Sequence, residues 1–162
     1  MGKRIVAVFE ILLLTTLFAF FATFVITTNQ NTAITEHTEN FVELVRYKGC
    51  ITQSMYYDFL NGFTTPVDIS FAVERQAFLS GTNDATSFEF TKDVIEAIES
   101  DDPAIGHIYK MQAGDNIQVT VRKPAGMVYN HVVGAASGNY TGSENPVIAA
   151  KGGMVLNEQY AD

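Results

Sequence analysis

An apolar run near the amino terminus constrains the fold more than any other feature. Residues 5–27 read IVAVFEILLLTTLFAFFATFVIT, with Glu10 as the single charged residue. A helix of that length rises about 35 Å, which exceeds the roughly 30 Å hydrocarbon core of a bilayer. A cleavable signal sequence has a shorter apolar region followed by small residues, whereas this run ends in VITTNQNTA. The sequence therefore predicts a retained membrane-spanning helix.

The charges on either side of the run predict its direction. Lys3 and Arg4 precede it directly, and the next cation is Arg46. The positive-inside bias places such an amino terminus in the cytoplasm and the carboxyl-terminal domain outside the cell. The residues after position 28 carry eight lysines and arginines against seventeen acids, a net charge of −9. A surface so acidic excludes nucleic acid as a partner of this domain.

Helical periodicity continues beyond the apolar run. In TAITEHTENFVELVRYKG the apolar residues recur every three or four positions, and neither proline nor glycine interrupts residues 5–48. This pattern predicts one continuous or gently kinked helix of about 44 residues, ended by Gly49 as its carboxyl-terminal cap. We expect one face of its second half to be buried and the other to be charged. The predicted buried residues are Ile34, His37, Phe41, Leu44 and Val45, and the charged ones are Glu36, Glu39, Glu43 and Arg46.

The rest of the chain alternates between helical and strand patterns. ITQSMYYDFLNGF predicts a helix capped by Thr52 or Ser54, VDISFAVERQAF predicts a half-buried strand, and FTKDVIEAIESDDP predicts a short helix. AIGHIYKM and DNIQVTVRK predict a hairpin about the turn QAGD, and the last two apolar segments, VIAA and MVLNEQY, flank two glycines. SGTNDATS is predicted as a polar loop, PAGMVYNHVVG as a short helix and AASGNYTGSENP as a flexible stretch.

These elements predict an α+β fold, in which a long amino-terminal helix, first transmembrane and then amphipathic, carries a small, mostly antiparallel sheet. We divide the chain into a transmembrane and assembly helix, residues 1–28, and an exported α+β head domain, residues 29–162. The amphipathic continuation of the helix, residues 29–48, belongs to the head domain.

Residue types that carry chemistry occur without the spacing that chemistry requires. No two histidines or cysteines lie three or four positions apart, and no nucleophile or phosphate-binding motif is present. Glu96 with Glu99, and Asp101 with Asp102, fit a solvated helix end better than a cation site. We therefore predict neither enzymatic activity nor a cofactor or metal. The three histidines are expected to be structural or surface residues: His37, His107 and His131.

The single cysteine, Cys50, has two interpretations. It is either a small buried hydrophobic residue at a helix junction or a functional thiol, which bridges two chains or is reactive. The first interpretation is favoured, since most free cysteines are buried.

Glu10 is the unusual residue of the apolar run, and two roles fit it. Its carboxylate can snorkel to the membrane interface, or it can pair with Lys3, Arg4 or the terminal amine of a neighbouring subunit. A pairing of that kind would specify the register between packed helices. In the second case the helices assemble through a set of charged and apolar residues: Glu10, Lys3, Arg4, Leu12, Leu13, Phe18, Phe20 and Phe21.

The layout resembles that of type IV pilin-like proteins, and most of all the TadE-like pseudopilins, including a clostridial branch found near conjugation and pilus-assembly genes. The segments that carry the resemblance are VFEILLLTTLFAFF at 8–21, VRYKGCITQSM at 45–55, AGDNIQVTVRKP at 113–124 and PVIAAKGGMV at 146–155. Cleavage after Gly2 would leave Glu10 at the eighth mature position, whereas pilins carry their glutamate at the fifth.

The resemblance implies a structural subunit or minor pseudopilin of a pilus, secretion or conjugation apparatus. Its partners would be copies of itself or other pilin-like subunits, together with the membrane, and it would reach the cell surface on assembly. The alternative is a membrane-anchored accessory or binding domain of an envelope or secretion complex that crosses the membrane once and does not polymerise.

Overall fold

The computed structural model describes residues 2–77, 85–100, 106–124 and 147–157. The chain divides into a first unit, residues 1–33, and a second unit, residues 34–162. The second unit begins five residues after the predicted head domain, and from here on the head means this unit. Four predicted features lie outside the described residues: the helix at 124–134, the flexible stretch that follows it, His131, and the helix end at 101–103.

The first element is a single helix, α1, Gly2–Lys48. It ends where the sequence predicts, because Gly49 adopts a positive φ of 68° and its N–H donates to the Val45 carbonyl at 2.8 Å. A residue with a side chain would be strained in that left-handed conformation, so glycine is the natural cap. The prediction of one uninterrupted helix is confirmed.

The part of α1 that belongs to the head buries one stripe. The buried side chains are spaced by three or four positions, as a helix packed on one side requires: Ile34, Thr38, Phe41, Val42 and Val45. The prediction that Leu44 lies on this face is wrong, since it is 42% exposed. Leu44 lies about 100° around the helix from the buried Val45. Val42, and not Leu44, is buried on this face.

A short strand and a short helix follow α1. The strand β1, Cys50–Thr52, precedes α2, Gln53–Asn61. Thr52 is the helix cap, as one of the two predicted options has it, and its hydroxyl accepts the Met55 N–H at 3.2 Å. β1 pairs antiparallel with β4, Ile108–Lys110. The sequence does not predict β1, because three residues between two helices are too few to show a strand period.

Four strands form the main sheet in the order β3-β2-β5-β6, and every neighbouring pair is antiparallel. The strands are β2, Asp68–Ala77; β3, Ala85–Phe90; β5, Asn116–Arg122; and β6, Val147–Met154. The α+β class and the antiparallel sheet are therefore confirmed. Alternate residues of the sheet join the core with α1 and α2, and they include Phe71, Val73, Ile117, Val119, Val121 and Ala149.

Two predictions about strands are wrong. β3 covers the end of the segment predicted as a polar loop. β4 and β5 flank a real turn, in which the Asp115 N–H donates to the Gln112 carbonyl, but they belong to different sheets and form no hairpin. In both cases pairing with another strand decides the structure, and local patterns do not report such pairing. Of the last two apolar segments, the first and the start of the second form one strand, β6, which runs through Gly152 and Gly153.

The short helix α3, Thr91–Glu99, follows β3 directly and confirms the predicted element. Val94 and Ile98 are fully buried. At its start the Asp93 carboxylate accepts the Phe90 N–H at 2.8 Å. This bond satisfies a backbone donor at the point where the strand turns into the helix.

Candidate assembly helix

The apolar half of α1, residues 6–26, exposes its large side chains all the way round. Each of its valine, isoleucine, leucine and phenylalanine side chains is between 38% and 73% exposed. Among the described residues, α1 is the one helix long and apolar enough to cross a membrane. A surface of this kind has no partner within the described part of the chain, and water is a poor solvent for it.

The predicted assembly residues that the structure describes lie on this surface. Phe18, Phe20 and Phe21 line one shallow groove. Leu12 and Leu13 line a second groove, to which Phe20 also contributes. Glu10 is exposed and lines neither groove. The side chains of Lys3 and Arg4 lie outside the described residues.

Five further residues line the two grooves and were missed as assembly residues: Phe9, Leu14, Thr16, Leu17 and Phe24. Leu17 contributes to both grooves, so it lies at the centre of the apolar surface. The helical spacing of Leu17 from Leu13, Leu14, Phe20 and Phe21 is the signal that could have found it.

Threonine hydroxyls in α1 are satisfied by the helix itself. Thr15 Oγ1 donates to the Ile11 carbonyl at 2.9 Å and to the Leu12 carbonyl at 3.0 Å. Five other threonines donate to the carbonyl four residues earlier at 2.7–3.1 Å: Thr16, Thr23, Thr27, Thr28 and Thr32. Each hydroxyl thus needs neither water nor a neighbouring helix, which suits an apolar solvent.

Beyond this surface, α1 is held by aromatic packing inside the head. The His37 ring stacks on Phe59 with centroids 5.2 Å apart and meets Phe63 edge-on at 5.0 Å. Its Nε2 lies 3.0 Å from the Phe59 carbonyl. Phe41 stacks on the other side of the same cluster, 4.1 Å from Phe59. His37 is therefore a structural residue, as predicted.

Strand β6 holds the same part of α1 through polar bonds. Lys151 Nζ pairs with the Glu39 carboxylate at 2.7 Å. Arg46 Nε donates to the Met154 carbonyl at 3.0 Å, and the Leu156 N–H donates to the Arg46 carbonyl at 2.9 Å. These bonds tie the last turns of α1 to the edge of the sheet.

The other side chains that could take part in chemistry are packed or hydrogen-bonded within the head. Cys50 is fully buried, which agrees with the first of its two interpretations. His107 Nδ1 lies 3.2 Å from the Ile98 carbonyl at the end of α3. In the part of the chain that the structure describes, no three histidine, cysteine, aspartate or glutamate side chains are grouped to hold a metal ion.

One cluster of titratable side chains lies in the head, at the boundary of the two sheets. Arg75 pairs with Glu89 at 3.0 Å and lies over the Tyr109 ring at 5.4 Å. The Tyr109 hydroxyl donates to Glu89 at 2.6 Å. Burial, and then the bond to Glu89, raises the pKa of Tyr109 well above its ordinary value. Each member is paired with another member, so the cluster joins β2, β3 and β4.

Comparison of the chain with protein-family models, with curated proteins and with solved structures found no match.

Proposed function

We propose that this protein is a membrane-inserted structural subunit, which assembles through the apolar half of α1 into a pilin-like filament or pseudopilus at the cell surface. The observation that carries the proposal is the exposed apolar surface of residues 6–26 on a helix whose other end is packed in a folded head. Such a helix needs lipid or other apolar helices around it. On assembly, apolar helices of neighbouring subunits replace the lipid.

In this proposal Glu10 specifies the register between neighbouring helices. Rows of leucine and phenylalanine pack tolerably at several axial offsets, because little distinguishes one turn from the next. A carboxylate that must find the Lys3, Arg4 or terminal amine of a neighbour removes that degeneracy, since a wrong offset leaves a charge unpaired away from water. Glu10 lines neither apolar groove, so pairing it would leave the grooves free for the neighbour's side chains.

A second candidate function is a single-span accessory domain that does not polymerise. The threonine bonds favour it, since α1 satisfies these hydroxyls without a neighbouring helix. In that case the head is the functional part and α1 is an anchor. Imaging of material shed from cells, with the chain identified by mass spectrometry, separates the two: filaments support the first, and exclusive recovery with membranes supports the second.

The assembly role is tested by Glu10→Ala. Membrane insertion depends on apolar length and flanking charge, which the substitution leaves intact, so the variant should fractionate with membranes. Assembly, measured as sheared filament or cross-linked oligomer, should fall sharply. Glu36→Ala is the matched control, because it removes an exposed acid from the same helix outside the apolar half. Assembly of Glu10→Ala at the wild-type level would refute the role of Glu10.

The proposed direction of the span has its own test. Protease added to intact protoplasts should trim the protein to an amino-terminal fragment of about 3–5 kDa, because only the short cationic end lies inside. Protection of the acidic head instead would reverse the orientation.

A further inference from the structure

The main sheet has a free edge at β3. In the described part of the chain β3 pairs with β2 on one side only. An edge strand presents backbone donors and acceptors that another extended chain can use.

Hydrogen bonds near the end of β3 show which of its backbone groups face this edge. The Phe71 N–H donates to Thr91 Oγ1 at 2.8 Å, so Phe71 directs its backbone groups toward the β3 side. The Phe90 N–H donates to Asp93 and not to β2. Antiparallel ladders alternate between residues bonded to the partner and residues bonded away from it. Phe88, two residues before Phe90, therefore directs its N–H and C=O away from β2.

A groove runs along this edge. It is lined by Phe88 and Glu89, neighbouring residues whose side chains leave opposite faces of β3, so it lies beside the strand and not on one face of the sheet. The opposite wall is α3, which contributes Asp93, Glu96, Ala97 and Ser100. A strand edge facing a helix across a groove is the geometry into which extended peptides add as a further strand.

The side chains of the groove select the chemistry of an occupant. Its lining holds three carboxylates, from Glu89, Asp93 and Glu96, and no cation. Glu89 is paired with Arg75 and Asp93 caps α3, whereas Glu96 is exposed. Phe88 is 60% exposed and offers an apolar surface beside the acids. An occupant should therefore combine an extended backbone, an apolar side chain over Phe88 and a basic side chain facing Glu96.

We propose that the edge of β3 binds an extended, basic segment of another protein by strand addition. A second copy of this chain is a poor occupant, because the residues after position 28 carry a net charge of −9 and would repel one another. The inference concerns the head and does not rest on assembly through α1.

A peptide probe tests this inference with the full chain in detergent micelles. The probe is a fluorescent peptide of about eight residues that alternates lysine with valine and threonine, matched in length to an ordinary strand. A control peptide replaces each lysine by glutamate. We expect the lysine peptide to bind saturably, with affinity that falls as salt is added, and the glutamate peptide not to bind. Absence of saturable binding at about 1 mM lysine peptide would overturn the proposal.

Two variants locate the binding. Glu96→Lys should weaken the lysine peptide roughly fivefold or more, whereas the matched control Glu36→Lys, an equal charge change on exposed α1, should not. Phe88→Pro removes an outward N–H that β2 does not use, so the edge can tolerate it while strand addition is lost. If Phe88→Pro fails to fold, Glu96→Lys alone decides. Equal peptide affinities for Glu96→Lys and Glu36→Lys would overturn the proposal.

Discussion

The two halves of α1 belong to one helix but have opposite relations to the rest of the molecule. In the head-bound half, residues 34–48, Phe41, Val42 and Val45 are at most 4% exposed. In the apolar half, residues 6–26, Val25 is the least exposed large apolar side chain, at 38%. The more hydrophobic half is thus the one that the fold leaves uncovered. Hydrophobicity alone does not place a residue in a core, because a core also needs a partner surface.

The amount of exposed apolar surface shows what kind of partner is missing. The apolar half exposes fourteen large apolar side chains, and at roughly 100 Å² each they present about 1,400 Å². Soluble monomers rarely expose apolar patches beyond a few hundred Å². The apolar half therefore presents more apolar surface than the described residues cover, whereas the head-bound half is covered by the head.

The largest expected effect separates the two halves by matched substitutions of phenylalanine. Phe41→Ala should destabilise the head by about 3–5 kcal/mol, because it removes a buried ring stacked 4.1 Å from Phe59. Phe21→Ala should leave the stability of the head unchanged within about 0.5 kcal/mol. Urea unfolding of the full chain in detergent, followed by tyrosine circular dichroism, measures both. Equal destabilisation by the two variants would break the comparison.

A smaller effect is expected where α2 ends against His37. A Cβ built on Gly62 would lie 2.2 Å from His37 Nε2, and that ring is held between Phe59 and Phe63. Gly62→Ala should therefore cost about 1–3 kcal/mol by overpacking, although the backbone of Gly62 suits any residue. The double variant Gly62→Ala/His37→Ala should recover part of the loss in the same urea assay. An unaltered urea midpoint in Gly62→Ala would show that the aromatic cluster is loosely packed.

The smallest effect concerns pH, and it should arise in the head alone. Tyr109 has a raised pKa in the fold, so above about pH 10 the unfolded chain ionises while Tyr109 stays protonated. Its contribution to stability is complete below pH 10 and is lost as the pH rises further. Tyr109→Phe should cost about 1 kcal/mol at neutral pH and flatten the alkaline decline. An identical decline of the urea midpoint in wild type and Tyr109→Phe would contradict this assignment.

The features predicted correctly from sequence are those whose causes are local. The end of α1 depends on Gly49, the start of α2 on Thr52, and β2 on its own alternation of apolar and polar residues. A few neighbouring residues determine each of these features, so the sequence pattern predicts them without knowledge of the fold. The burial of Cys50 also followed from its residue type.

The features that were missed or predicted wrongly depend on packing between elements. β1 exists because β4 lies beside it, and β3 exists because β2 does, yet neither strand has a strong period of its own. Leu44 was assigned to the buried face because it is apolar, but Val42 is the residue that the fold buries there. In the candidate site, the apolar grooves could be anticipated from helical spacing, whereas the threonine bonds became visible only with the backbone carbonyls in place.

The most direct test compares the reactivity of one cysteine in each half of α1. In a Cys50→Ala background, Leu14→Cys and Leu44→Cys place a thiol at positions that are both exposed on the helix. A membrane-impermeant maleimide added to intact cells should label Leu44→Cys and not Leu14→Cys. The thiol at position 14 lies among apolar groups that exclude water and the reagent, whereas the thiol at position 44 does not. Both should be labelled after denaturation. Equal labelling of the two thiols on intact cells would contradict the claim that the apolar half of α1 lies in a membrane or a packed assembly.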